Sequence, residues 1–180
     1  MDYEEYGTLM YKSAEAYSKA AKYLNGIGSK DMMVLLPSQV NASLSLELYF
    51  KALYCFVFNR EFKIKERHSH DFHKLFLELP DNMKSSMKNE FRELLTKRDM
   101  RDANQMELHG KVKVPRDLVT NLENWSSVFV KIRYFFDKPK NSIVMMFFPE
   151  IEVVVKQAIR DVKPNLKLSV HEKVNLGLRV

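Results

Sequence analysis

The chain of 180 residues is long enough for one self-sufficient core, because a globular protein of this size buries roughly 70% of the surface its unfolded form exposes. Its 46% apolar and 29% charged residues exclude general disorder, 5 Gly and 6 Pro are too few for a turn-rich barrel or sandwich, and the single Cys55 excludes both an internal disulfide framework and a cysteine-based zinc site. The formal charge of +6 allows an anionic partner without demanding one.

The acidic start, Met1-Asp2-Tyr3-Glu4-Glu5, has neither the apolar run of a secretory signal nor the arginines of a transit peptide. No stretch of 18 apolar residues is free of charge, so no membrane span and a cytoplasmic location are expected. Residues 3–25 repeat at helical spacing, with Tyr3, Tyr6, Met10, Ala14, Tyr17, Ala21 and Leu24 on one face, and Gly26 with Gly28 predicts the stop. A second helix is predicted from near Pro37 to about Phe58. Between Asp31 and Arg60 its only charges are Glu47 and Lys51, and a helix apolar nearly all round belongs at the centre of a bundle.

Arg60 to Ser69 reads as a charged linker. A short helix follows with Asp71 near its start and Phe72, Leu75, Phe76 and Leu79 on one face. Pro80-Asp81 opens another, with Asp81 as the predicted N-cap and Met83, Met87, Phe91, Leu94 and Leu95 as its stripe. Residues 98–117 are polar and predict a long loop. Leu118, Leu122, Trp125, Phe129, Ile132 and Phe136 predict one long amphipathic helix, broken at Lys138-Pro139-Lys140-Asn141. Pro149 suits the first position of a last helix, whose stripe is Ile151, Val154, Val155, Ala158, Ile159 and Val162. The expected fold is therefore an all-α antiparallel helical bundle, a single domain over residues 1–162 with a basic tail over 163–180. Alternation near 111–114 and again near 166–170 raises a short two-stranded element.

Three features could carry chemistry. Glu47 and Lys51 stand at i,i+4 in the favourable order, so their side chains meet. A structural ion pair that holds helix register is the favoured reading, and a polar pair in a nucleotide- or RNA-contacting groove is the alternative. Arg67-His68-Ser69-His70-Asp71-Phe72-His73 gathers three of the five histidines. These suit proton transfer near neutrality, or simply the solvent edge of a helix N-terminus. They lack a third ligand at metal-binding spacing, so no metal site is expected. Lys131 and Arg133 flank an apolar stripe and would contact nucleic acid if other cations converged with them. No phosphate-cradling glycine loop, serine elbow, dinucleotide fingerprint or zinc-protease helix is present, and no cofactor is expected.

The run Asn41-Ala42-Ser43-Leu44-Ser45-Leu46-Glu47-Leu48-Tyr49-Phe50-Lys51-Ala52-Leu53, then a basic linker, then His70-Asp71-Phe72-His73-Lys74-Leu75-Phe76, resembles the HEPN superfamily of small all-α domains. Phe129-Val130-Lys131-Ile132-Arg133-Tyr134-Phe135-Phe136 is similar to the last core helix of some of its branches. The resemblance implies a helical bundle, often a homodimer, tied to RNA, a nucleotide or a protein partner. Many members are metal-independent ribonucleases of toxin–antitoxin and phage-defence systems. Their signature is an Arg followed four to six residues later by a His on the last core helix. Arg133 would be that Arg, yet no His follows it until His171. Arg67 and His73 have the spacing but lie in the linker region, and one such pair is about what chance supplies. The departure speaks against catalysis rather than against the fold. The expectation is a non-catalytic HEPN-like module that binds RNA, a nucleotide or a protein through Lys51, Arg67, His70, Lys131 and Arg133. The alternative is a metal-independent endoribonuclease using Arg67, His70 and His73.

Overall fold

The computed structural model describes residues 2–28, 32–64, 67–68, 71–110, 113–128 and 146–166. Among these, seven helices carry the fold: α1 (Tyr3–Gly28), α2 (Met32–Phe58), α3 (Phe72–Glu78), α4 (Asp81–Lys97), α5 (Arg101–Gly110), α6 (Leu118–Ser126) and α7 (Phe148–Val162). The architecture is an all-α helical bundle. Its centre is α2, which touches α1, α3, α6 and α7. Leu46, Tyr49, Phe50, Ala52 and Leu53 of α2 are fully enclosed, as expected for a helix apolar on every side.

α1 packs along α2 through a ridge of mostly small residues, Gly7, Tyr11, Ala14, Ser18, Ala21 and Gly28. The predicted face is thus rotated, and Tyr17 is exposed rather than buried. The cause is close approach: a Cβ on Gly7 would lie 2.7 Å from Phe56 Cε1, and one on Gly28 would lie 2.6 Å from Leu35 Cδ2. Contact at that range selects small side chains and moves bulky tyrosines to the flanks. The same packing carries the helix through Gly26 to Gly28, past the predicted stop, by offsetting the roughly 1 kcal/mol that an interior helical glycine costs. α2 likewise begins at Met32, before the predicted start at Pro37, which it accommodates within the helix. The Pro37 carbonyl accepts a hydrogen bond from Asn41 Nδ2 at 2.8 Å.

At the end of α2 the chain turns on Asn59, whose φ of 49° lies in the left-handed region that asparagine tolerates at helix ends. The linker beyond it holds a two-residue antiparallel pairing, Lys63–Ile64 with Arg67–His68. Asp71 caps α3, accepting from the Lys74 backbone N–H at 3.3 Å. The N-cap of α4 is Pro80, so Asp81 is the first helical residue rather than the cap, and its carboxylate meets Lys84 at 3.0 Å.

Most of the predicted 98–117 loop is instead helix α5. Asp99 accepts from the Arg101 backbone N–H at 3.0 Å, and buried Ala103 is its apolar anchor. With Met106 and Leu108 exposed, no stripe announces this helix in the sequence. Lys113 and Val114 belong to no strand; the rest of the two-stranded element expected at 111–114 and 166–170 lies outside the described residues, except Leu166, which packs on the core without strand pairing. α6 opens on Asp117, which accepts from the Thr120 N–H at 2.8 Å, and closes at Ser126. The predicted continuous helix is interrupted at Ser127, a turn residue whose Oγ donates to the Asn124 carbonyl at 2.7 Å. Its continuation from 129 to 136 lies outside the described residues, as does the tail from 167. α7 starts at Phe148, so Pro149 is its second residue, and the predicted stripe from Ile151 to Ile159 is buried.

Candidate functional site

The chemistry of one end of the bundle follows from how α2 finishes. Tyr54, Phe58 and Phe62 are spaced by four, so the aromatic row continues past the helix end into the turn. Tyr54 meets the Phe58 ring at 4.5 Å and the Phe62 ring edge-on at 5.2 Å between centroids. Asn59 swings the chain so that Arg60 lies back over this row. Its guanidinium carbon is 5.9 Å from the Tyr54 centroid and 5.7 Å from the Phe58 centroid, within cation–π range.

α3 supplies the opposite wall. Lys74, Leu77 and Glu78 share a face at i, i+3 and i+4. Lys74 Nζ lies 3.4 Å from the carboxylate of Asp71, and Lys84 Nζ donates to the Leu77 carbonyl at 2.9 Å, holding the end of α3. Between the walls lies a cleft of about 520 Å³ lined by Tyr54, Arg60, Glu61, Phe62, Lys74, Leu77 and Glu78. That volume suits a nucleotide-sized ligand. The lining combines an aromatic and aliphatic floor, two cations and two carboxylates.

Of the residues named from sequence, Glu47 and Lys51 meet at 2.7 Å, with the Glu47 side chain 4% and the Lys51 side chain 18% exposed. Lys51 is not among the residues that line the cleft. His73 is not among the residues that line the cleft either: its backbone N–H donates to Ser126 Oγ at 2.9 Å, and its Nε2 is enclosed without a hydrogen-bond partner among the described residues. Arg67 is placed in the second strand of the hairpin, but its side chain, together with His70, Lys131 and Arg133, lies outside the described residues. Cys55 is buried and burial pushes its thiol up to about 11, so it is no ready nucleophile. From sequence, Arg60 and Glu61 fall in a charged linker, but the rest of the lining was not singled out. The readable signals were the fourfold spacing of Tyr54, Phe58 and Phe62, and the shared face of Lys74, Leu77 and Glu78.

A second polar cluster lies between α1, α2 and α7. The buried Glu152 carboxylate accepts from Ser18 Oγ at 2.7 Å and pairs with Lys22 at 2.6 Å. The Tyr49 hydroxyl donates to Glu15 at 2.5 Å and reaches Glu152 at 3.4 Å. Lys156 pairs with Glu15 and stands 5.6 Å from the Tyr49 ring centroid. Burial, and then the neighbouring Glu15 carboxylate, raise the Tyr49 hydroxyl far above its ordinary value, so it keeps its proton. Burial pulls the Glu15 carboxyl upward, but hydrogen bonds from Lys156, Tyr49 and Tyr11 outweigh it and hold Glu15 below its ordinary value. The donors and acceptors satisfy one another across three helices, which is how a polar network fixes a single packing arrangement.

Among the described residues no three His, Cys, Asp or Glu side chains converge as metal ligands, and no helix is long and apolar enough to cross a membrane. Comparisons with protein-family models, with curated proteins and with solved structures each found no match.

Proposed function

We propose that this chain is a non-catalytic, HEPN-like module that binds a nucleotide unit of single-stranded RNA in the cleft between the end of α2 and α3. The observation that carries the reading is Arg60 stacked over Tyr54 and Phe58 at a nucleotide-sized cleft that also holds Phe62 and Lys74. Aromatic rings accept a nucleobase face of any sequence, while arginine and lysine neutralise phosphate. Single-stranded RNA is read by proteins largely through such splayed, stacked bases. The cleft is lined by residues between and just beyond the two motifs that resemble the HEPN superfamily, with Lys74 inside the second, and the +6 net charge favours a polyanion.

The absence of catalysis in this reading has its own support. Cutting RNA without metal needs a base that reaches the 2′-hydroxyl and a cation beside the developing charge. His73 Nε2 is enclosed, so that atom cannot reach a substrate from the solvent side.

The test is an anisotropy titration of purified protein into a labelled single-stranded RNA decamer at low salt with chelator present, followed by gel analysis of the RNA. Binding that weakens with added salt, with the RNA left intact, is the expected result. No binding at low salt overturns the reading. Cleavage that vanishes in His73→Ala, with the fold retained by circular dichroism, replaces it with the endoribonuclease alternative.

A further inference from the structure

The cleft contains a feature that phosphate binding does not explain. Beside Arg60 and Lys74 stand two carboxylates, Glu61 and Glu78, and Asp71 already lies 3.4 Å from Lys74. A carboxylate in a polyanion site repels its ligand unless it meets hydrogen-bond donors there. Glu78 lines the cleft from the exposed last turn of α3, and among the described residues it makes no ion pair or side-chain hydrogen bond, so its carboxylate is available to accept from a ligand.

Base chemistry then selects the ligand. An ionised carboxylate only accepts, and it accepts best from two parallel donors. On the Watson–Crick edges, adenine and cytosine each set one amino donor beside a ring-nitrogen acceptor, and uracil sets one N–H between two carbonyls. Guanine alone sets two neighbouring donors, N1–H and the N2 amino group, side by side. The half-buried Phe62 ring, packed edge-on against the enclosed Tyr54, supplies the stacking surface across the cleft from α3.

We propose that the cleft is selective for guanine, with Glu78 accepting from N1–H and the N2 amino group of a base stacked against Phe62, and with Arg60 or Lys74 at its phosphate. This rests on the nucleotide-binding reading above. It adds a specificity determinant to a site whose cations and rings alone would be indifferent to the base.

The experiment is a set of calorimetric titrations of the full chain with GMP, AMP, CMP, UMP and IMP, repeated with Glu78→Gln. A matched bidentate contact discriminates by about tenfold, so GMP binds about tenfold more tightly than AMP, CMP or UMP, and IMP, which lacks the N2 amino group, falls between. In Glu78→Gln, GMP drops to the affinity of AMP while AMP is unchanged or tighter, because a repulsive charge has gone. Equal affinity of the wild-type chain for all five overturns guanine selectivity and leaves nucleotide binding standing. A GMP preference that survives in Glu78→Gln overturns the role of Glu78. Failure to bind any of the five nucleotides or the RNA decamer overturns the underlying reading together with this one. Glu78 is exposed, so Glu78→Gln keeps the fold, and the IMP comparison tests the same contact without any variant.

Discussion

Tyr49 of α2 donates its phenolic hydrogen to Glu15 of α1 at 2.5 Å, and the same oxygen lies 3.4 Å from Glu152 of α7. One side chain in the centre of the bundle thus ties together three helices that are distant in sequence. Tyr11 packs edge-on against the Tyr49 ring, 5.6 Å between centroids, so the hydroxyl is aimed by the ring packing around it. The network is expected to specify how α1 and α7 seat on α2.

Tyr49→Phe keeps the ring and removes the donor. It leaves Glu15 with one fewer hydrogen bond in a half-buried site, and a loss of about 1–3 kcal/mol is expected. Urea unfolding followed by circular dichroism measures it. A midpoint equal to that of the wild type would show that the hydroxyl adds nothing to the packing.

The same network sets an acid limit on stability. The folded chain holds the Glu15 carboxyl below its ordinary value of 4.5, so the folded state favours its ionised form. That contribution is fully present above the unfolded value and is lost as pH falls through the folded one. The stability gap between the wild type and Glu15→Gln should therefore narrow as pH drops below about 4.5. Urea midpoints of both proteins at neutral and acid pH decide this, and a gap independent of pH would count against it.

Lys51 and Glu47 form an ion pair inside an otherwise uncharged helix. Removing the lysine alone, as in Lys51→Met, leaves the Glu47 carboxylate enclosed without that cation, and should cost about 3–5 kcal/mol. Replacing both by methionine should cost far less, because the desolvation of two charges disappears with their attraction. Thermal melts of the single and double variants distinguish this from a surface pair, for which the single variant would be nearly neutral.

At the cleft, Arg60→Ala removes one cation together with its stacking on Tyr54 and Phe58. RNA binding should weaken, and the slope of log affinity against log salt should become shallower by about 0.7, the value for one single-strand phosphate contact. An unchanged slope would show that Arg60 stacks without touching phosphate.

Helix type and the identity of the central helix were readable from the sequence alone. Periodicity is a local property, and the near absence of charge between Asp31 and Arg60 leaves α2 no place but the interior. The stripes of α3, α4 and α7 were legible for the same reason. Helix α5 was not, because its single buried anchor, Ala103, makes no repeating pattern. The face of α1 was not either: whether Tyr17 or Ser18 points inward depends on how closely α2 approaches, and only Gly7 against Phe56 and Gly28 against Leu35 decide that. The i,i+4 spacing of Glu47 and Lys51 announced a contact within one helix, whereas Glu15, Ser18, Lys22, Tyr49, Glu152 and Lys156 meet only because three helices converge. The cleft is of the same kind. Tyr54 is separated from Lys74 and Glu78 by the turn at Asn59 and the hairpin beyond it, and no spacing rule spans such a reversal. Local chemistry set which segments are helices and which of them is central. Long-range packing, in which each contact depends on the placement of a whole element, decided which side chains share a site.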